Sequence, residues 1–333
     1  MKANRFCLCL IYLLSAFLLL MPTASLAGGD GARVYWKSLA GSNAVTFWPI
    51  LASGNANPLD PASNATPNAD FDATMALLGF HKVLPLFGRT ATLSIFLPVG
   101  NLEGEFSGVL ASHQRSASGF GDPLLQLNVN LIGAPAMMGL ADFARYEPRF
   151  TLDVLGTVAL PIGEYDSDRA LNIGQNRWYG RIGFPMMVTF GPWVPGKRTT
   201  FELLPAVWFF SDNDDAFNLK SGVSGQTLKN DPLFQLEAHI TRDITETLWG
   251  SIDGLWLKGA KSEIGGVSGK ELDSVGVGLT LGFQVTDNFS IAASYMSTVN
   301  DSGKDDLRAN EFRLMLTYGW HPLVEGMKRL KGH

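Results

Sequence analysis

Cysteine is nearly absent from this chain of 333 residues. The two that occur, Cys7 and Cys9, both lie in the apolar stretch at the start of the sequence. If that stretch is removed during export, the remaining chain has no cysteine at all. This excludes disulfide bonds and thiolate chemistry from the rest of the protein, even in an oxidising compartment.

Charged residues and long apolar runs are also scarce. Charged residues make up 17% of the chain, below the roughly 25% of a typical soluble domain. Acids outnumber bases, 31 to 26, so no basic stripe is available to neutralise phosphates, which argues against a nucleic-acid partner. After the N-terminal stretch, no apolar run approaches the roughly 20 residues of a membrane helix.

The N-terminal stretch has the features of a secretory signal. Lys2 and Arg5 precede an apolar run over residues 6–21, and small residues follow at Ser25 and Ala27. This order predicts a signal peptide over 1–27, cleaved after Ala27. An uncleaved anchor is the alternative, but the run is slightly short for a spanning helix. We therefore expect an exported protein, which is mildly acidic after cleavage.

Strict alternation of side chains is the main structural signal that remains. From Leu272 onward, large apolar residues alternate with glycine, threonine and glutamine through residue 285. Because a strand sends successive side chains to opposite faces, one face here is apolar and the other small or polar. Residues 311–320 repeat the pattern. A soluble sandwich could also produce it, but the predicted signal favours a membrane barrel.

The spacing of such segments predicts a barrel of about twelve strands. Connections after odd-numbered strands are long or polar and most connections after even-numbered strands are tight, as in an outer-membrane barrel with long external loops and short periplasmic turns. The expected fold is all-β, a single up-and-down antiparallel transmembrane barrel. The predicted strands are 43–51, 70–83, 89–99, 121–132, 148–160, 177–191, 198–211, 231–242, 246–258, 272–285, 288–298 and 309–320.

This topology divides the chain into four parts. The signal peptide (1–27) precedes an N-terminal periplasmic segment (28–42), the barrel (43–320) and a basic C-terminal tail (321–333). Aromatic residues near predicted strand ends are expected to form two interfacial girdles. At the outer ends these are Trp48, Trp178, Tyr179, Trp208, Phe209, Phe210 and Trp256, and at the inner ends Phe190, Trp193, Trp249, Phe289, Tyr318 and Trp320.

Strand parity also predicts which polar side chains face the lumen. Such charges can tune the passage of solutes or can simply pair with one another. Both interpretations remain open, and four acids against two arginines would give an open lumen a mild preference for cations or neutral solutes. The lumen-facing candidates are Asp153, Arg181, Glu202, Glu237, His239, Asp253 and Arg313.

No catalytic constellation emerges from the sequence. A barrel lipase needs a serine, a histidine and an orienting polar residue together. His113 and Ser116 are close in sequence, but they lie in a long loop with no orienting partner. No metal-ligand spacing or nucleotide fingerprint is present, so we expect no catalytic residues, no metal and no cofactor.

Three short motifs resemble a known family. They are Gly119-Phe120-Gly121-Asp122-Pro123, then Leu160-Pro161-Ile162-Gly163-Glu164-Tyr165-Asp166, then Asn172-Ile173-Gly174-Gln175-Asn176-Arg177-Trp178. Together they are similar to the MetA-pathway of phenol degradation family of bacterial outer-membrane barrels, over about residues 34–320. The resemblance implies passage of hydrophobic or aromatic small molecules, and it assigns no binding residues. The chain differs at its end, where a tail follows the last aromatic strand.

The leading expectation is an outer-membrane channel for small, hydrophobic or aromatic solutes that works passively and without catalysis. The alternatives are a lipid-acting barrel enzyme and a structural or surface-interaction barrel. Missing catalytic groups weigh against the enzyme, and long external loops with few aromatic residues weigh against the surface barrel. Expected partners are outer-membrane lipids, small-molecule solutes and the outer-membrane assembly machinery.

Overall fold

A computed structural model describes residues 29–66, 69–106, 116–219, 221–301, 303, 306–322 and 324–325. The predicted signal peptide, His113 and most of the predicted tail lie outside the described residues. Within the described residues, no helix is long and apolar enough to cross a membrane.

The described chain is mostly β-strand, with a short helix in the connection between β5 and β6. The strands are β1 (Asn43–Gly54), β2 (Ala69–Leu86), β3 (Arg89–Phe106), β4 (Ser116–Phe120), β5 (Leu124–Ile132), β6 (Phe150–Ala159), β7 (Tyr179–Gly183), β8 (Met186–Phe190), β9 (Thr199–Phe210), β10 (Asn213–Asn218), β11 (Val223–Asn230), β12 (Leu233–Asp243), β13 (Leu248–Gly259), β14 (Ser262–Ile264), β15 (Val267–Ser268), β16 (Leu272–Gln284), β17 (Phe289–Thr298) and β18 (Ala309–Trp320), and the helix is α1 (Leu140–Arg145).

The large sheet closes into a barrel. Its antiparallel order runs β12, β13, β16, β17, β18, β1, β2, β3, β5, β6, then β7 with β8, and β9, which pairs back onto β12. This gives twelve wall strands, and the predicted up-and-down barrel is confirmed. β1 pairs with β18 from Asn43↔Trp320 to Gly54↔Ala309, so the first and last strands form the seam.

One predicted strand is divided in the structure. The segment predicted over 177–191 becomes β7 and β8, which both pair with β6 and β9. The break falls at Phe184 and Pro185. Proline has no N–H to donate to a ladder, so a strand is readily interrupted there.

The two faces of the wall differ as the alternation predicts. On β16, Leu279 is 62% exposed on the outer face, whereas Thr280, one residue along, is 2% exposed on the inner face. Thr280 Oγ1 donates to Asp253 Oδ2 on β13 at 2.6 Å. The barrel therefore has an apolar outer surface suited to lipid and an interior lined by polar groups that bond to one another.

A second sheet stands outside the barrel wall. β10, β11, β14 and β15 pair in that order, within connections that the sequence analysis treated as loops. β2 and β3 also extend as a hairpin to Ala69↔Phe106, past the predicted strand ends. The long connections at this end are thus folded structures, and they position the residues that cover the lumen.

Candidate functional site: the barrel lumen

The structure places all seven predicted lumen residues inside the barrel, and each is buried. They come from six wall strands: β6, β7, β9, β12, β13 and β18. Their effect on solute passage stays a prediction. Their positions are Asp153 on β6, Arg181 on β7, Glu202 on β9, Glu237 and His239 on β12, Asp253 on β13 and Arg313 on β18.

Three of the seven form one bonded cluster on adjacent strands. His239 Nδ1 lies 2.7 Å from Asp253 Oδ1, and His239 Nε2 lies 3.5 Å from Glu237 Oε2. Ser251 Oγ donates to Asp253 at 2.5 Å, and the side-chain amide of Gln235 donates to Glu237. Both carboxylates therefore have hydrogen-bond partners within the barrel. At this level of the lumen, this favours charges that pair with one another over charges that tune the passage of solutes.

Residues 29–42, the described residues that precede β1, lie inside the barrel. We call residues 29–42 the plug segment. Arg33 Nη1 lies 2.8 Å from Asp243 Oδ1, and Lys37 Nζ forms an ion pair with Asp153. Ala40 N–H donates to the carbonyl of Met137 at 2.9 Å. Which membrane face this end of the barrel meets stays a prediction from the connection lengths.

Glu202 and a group of tryptophans hold the middle of the plug segment. Glu202 accepts hydrogen bonds from Arg33 N–H and from Trp36 Nε1–H, each at 2.8 Å. The Arg33 guanidinium lies 4.2 Å from the Trp36 ring centroid and 4.3 Å from that of Trp249. A pocket of about 20 Å³ lies between the segment and the wall, with room for about one water molecule. The segment therefore narrows the lumen at this level.

A larger cavity of about 240 Å³ lies beyond the end of the plug segment. Gly29, Asp30 and Val34 form its floor, and Pro58 to Ser63 of the outer connection border it on the other side. Its side walls are mostly apolar, with two arginines and two glutamines among them. The apolar and aromatic wall residues include Trp48, Ile50, Met75, Leu77, Phe96, Tyr179, Trp208, Leu255 and Leu257.

The prediction of an aromatic girdle is wrong for three residues in this wall. Trp48, Tyr179 and Trp208 were expected at the lipid interface, but they face the lumen and border the cavity. Strand parity could have placed them there. Tyr179 is two residues from Arg181, and Trp208 is six from Glu202, so each shares the inward face of its strand.

An outer cover, residues 55–66, folds over the lumen on the far side of the cavity. Ala62 is buried against the wall near Leu233 and Leu255. Asp60 pairs with Arg177 at 3.1 Å, and Arg177 also donates to Asn230 Oδ1 at 2.6 Å. Backbone and side-chain bonds from three connections therefore hold this cover in place.

The three family-like motifs meet beside this cover. Asp122 Oδ1 accepts the N–H of Gly163, and Asp122 Oδ2 accepts the N–H of Gln175, both at 2.9 Å. Burial raises the pKa of the Asp122 carboxyl above its ordinary value, and the backbone donors offset only part of that rise. A Cβ on Gly163 would lie 2.7 Å from Asp122 N, and one on Gly174 would lie 2.6 Å from Gly163 C. Only glycine fits such close backbone approach.

Replacement of Gly163 by alanine should therefore destabilise the barrel. The added methyl meets backbone that cannot move aside, and we expect a loss of about 1–3 kcal/mol in the free energy of unfolding. Gly156→Ala is the matched control, since a Cβ there meets nothing within 4 Å. Urea unfolding in detergent measures both. Equal stability of the two variants would contradict the close packing of the motifs.

The convergence of these motifs agrees with a family comparison. A family model described as "Putative MetA-pathway of phenol degradation" matches residues 55–316. The chain belongs to this family. No curated protein matches the chain. Membership and the closed barrel together place the protein in the bacterial outer membrane.

One solved structure supports the same fold, and a second is similar over most of the chain. The COG4313 outer membrane channel from Pseudomonas putida F1 superposes with a TM-score of 0.64 at 18% identity, over 87% of this chain and 98% of that one. The transport unit of the autotransporter AIDA-I from Escherichia coli has a TM-score of 0.46 at 11% identity, over 89% and 95%. At 18% identity the likeness to the channel concerns the fold alone.

Proposed function

We propose that the protein is a passive channel that carries small apolar or aromatic solutes across the outer membrane. The lumen cavity would be the site where such a solute rests. One observation carries this proposal: a mostly apolar, aromatic cavity of about 240 Å³ inside a barrel that also buries many charged side chains.

The chemistry of the wall supports this solute class. Small-molecule sites are concave and mostly apolar, with a few polar groups that fix orientation. Here Trp48 and Trp208 supply ring faces, and the side-chain amide of Gln126 supplies a polar group. A solute that buries apolar surface against these walls gains about 25 cal/mol for each Å² removed from water. A hydrated ion gains nothing comparable.

The plug segment would govern access from one side. If cleavage occurs after Ala27 as predicted, the segment follows directly and can move without breaking a wall strand.

We also propose that the protein has no catalytic activity. His239, the histidine within the charged cluster, has a carboxylate facing each ring nitrogen. It is therefore not directed at a serine nucleophile, as a lipase would require.

Uptake by whole cells tests the proposal itself. Apolar solutes cross simple lipid bilayers unaided, so the experiment needs cells whose outer leaflet is a barrier. Cells that express the protein should take up labelled benzyl alcohol faster than cells without it, with a rate that follows the concentration gradient. Equal rates, or uptake that requires energy, would contradict a passive channel.

Removal of one cavity ring tests the solute site. Trp208→Ala should weaken benzyl alcohol binding about tenfold, because an aromatic contact and its buried area are lost together. Trp178→Ala is the matched control, since Trp178 is 54% exposed and does not border the cavity. Titration calorimetry on the purified proteins measures both affinities. A similar loss in both variants would show that the cavity is not the binding site.

A further inference from the structure

Two buried arginines border the cavity next to Gly29 and Asp30, the first residues of the plug segment. Arg181 and Arg313 are 3% and 4% exposed, and both border the cavity. Arg181 forms a two-pronged pair with Asp30 of the plug segment: Nη1 to Oδ1 at 3.0 Å and Nη2 to Oδ2 at 2.7 Å. This is the geometry with which a guanidinium recognises a carboxylate.

Arg313 holds the same stretch of the plug segment by its backbone. Its Nη2 donates to the carbonyl of Gly29 at 2.9 Å, and its Nη1 donates to the carbonyl of Asp30 at 3.3 Å. It also pairs with Glu311 at 2.6 Å. The Nε–H groups of Arg181 and Arg313 have no acceptor among the described residues. Each arginine therefore holds the plug segment through its two terminal nitrogens.

We infer that Arg181 and Arg313 form a carboxylate-binding site, that Asp30 occupies it in the resting protein, and that the preferred solutes are small monocarboxylates with an apolar or aromatic body. This inference rests on the proposed function and specifies its solute class. The carboxylate of the solute would replace that of Asp30, while its body would lie against the apolar wall.

The surroundings of the two arginines fit such a ligand. The Arg181 guanidinium lies 4.8 Å from the Trp208 ring centroid, and that of Arg313 lies 5.5 Å from the Trp48 ring centroid. These rings hold the cations and offer apolar surface next to the charged end. Glu237 accepts the N–H of Asp30 at 2.8 Å, so a second negative charge on the solute would meet this carboxylate. This favours one carboxylate per solute.

Replacement of Asp30 would couple binding to release of the plug segment. A buried arginine left without a partner is unfavourable, so Asp30 leaves readily only when another anion takes its place. A neutral solute provides no such exchange. Binding of the solute would then loosen the start of the plug segment around Asp30. Competition from Asp30 would in turn reduce the affinity of the protein for the solute.

Calorimetric titration of the full-length mature protein with three probes tests this inference. The probes are benzoate, benzyl alcohol, which has the ring without the charge, and acetate, which has the charge without the ring. Benzoate should bind at least about tenfold more tightly than either, because only it uses both parts of the site. Asp30→Asn should tighten benzoate binding about tenfold by removing the internal competitor. Arg181→Gln should abolish the preference for benzoate over benzyl alcohol.

Controls separate this inference from general effects and from the proposed function. Asp70→Asn alters a carboxylate that pairs with Arg308 at the outer end and should change no affinity. Gel mobility without heating verifies that each variant is folded. If benzyl alcohol binds but benzoate binds no better, or if Asp30→Asn weakens benzoate binding or leaves it unchanged, the inference is wrong and the channel proposal stands. If neither ring probe binds, both are wrong.

Discussion

Arg33→Gln combined with Lys37→Gln is expected to increase the conductance of the protein in planar bilayers at least about tenfold. Each change breaks a buried ion pair with a wall carboxylate, Asp243 or Asp153. Breaking such a pair costs about 3–5 kcal/mol, enough to shift a two-state equilibrium far toward the state with the plug segment withdrawn. The opened lumen should prefer cations, because Asp153 loses its basic partner and Asp243 keeps only Arg198.

A matched double variant controls for the loss of two positive charges. Lys229→Gln with Lys258→Gln removes the same charge from pairs whose lysine side chains are 56% and 46% exposed. Exposed pairs contribute about 0–1 kcal/mol, so conductance should stay at the level of the unmodified protein. Reversal potentials measured at two salt concentrations give the selectivity. Identical conductance in the two double variants would show that these ion pairs do not hold the lumen closed.

Leu279→Arg is expected to lower the free energy of unfolding in lipid by about 2–4 kcal/mol, the cost of an arginine on the lipid face near the bilayer midplane. Leu279 lies in the middle of β16 and points outward. Its neighbours on the paired strands are Ile252 and Tyr295. No lumen contact is removed by the change, so the cost isolates the effect of lipid.

Val267→Arg provides the control for membrane depth. Val267 is 53% exposed on β15 of the sheet outside the barrel. An arginine there remains in water and should cost less than about 0.5 kcal/mol. Urea unfolding of both variants in the same vesicles compares the two costs. A cost for Leu279→Arg no larger than that for Val267→Arg would contradict a lipid-facing β16.

The barrel could be predicted from the sequence because its determinants are local. Alternation with a period of two marks each wall strand, and connection lengths mark the turns. Parity placed Arg181 and Arg313 on the inward face for the same reason. Trp208 has the same parity as Glu202, so the alternation indicates the lumen, whereas its aromatic character alone indicates the lipid interface. The break before Pro185 was present in the sequence as a proline inside a predicted strand.

The plug segment and the outer cover could not be predicted in this way. Their partners are distant in the chain: Lys37 and Asp153 are 116 residues apart, and Asp30 and Arg181 are 151 apart. Neither residue of such a pair has a periodic pattern that reveals the other. Asp30 and Lys37 lie in a short stretch of mixed polar and apolar residues, and only the closed barrel brings their partners around them. The external sheet was missed because its strands are short.

The distant partners of the plug segment have a consequence for how the protein folds. Asp30 N–H and Glu237 are 207 residues apart, and Arg33 N–H and Glu202 are 169 apart. Such contacts close very long loops, so they form only after the wall strands have assembled. Interactions absent from the transition state slow unfolding without changing the rate of folding. The plug segment should therefore slow the unfolding of the finished barrel and have no part in nucleating its folding.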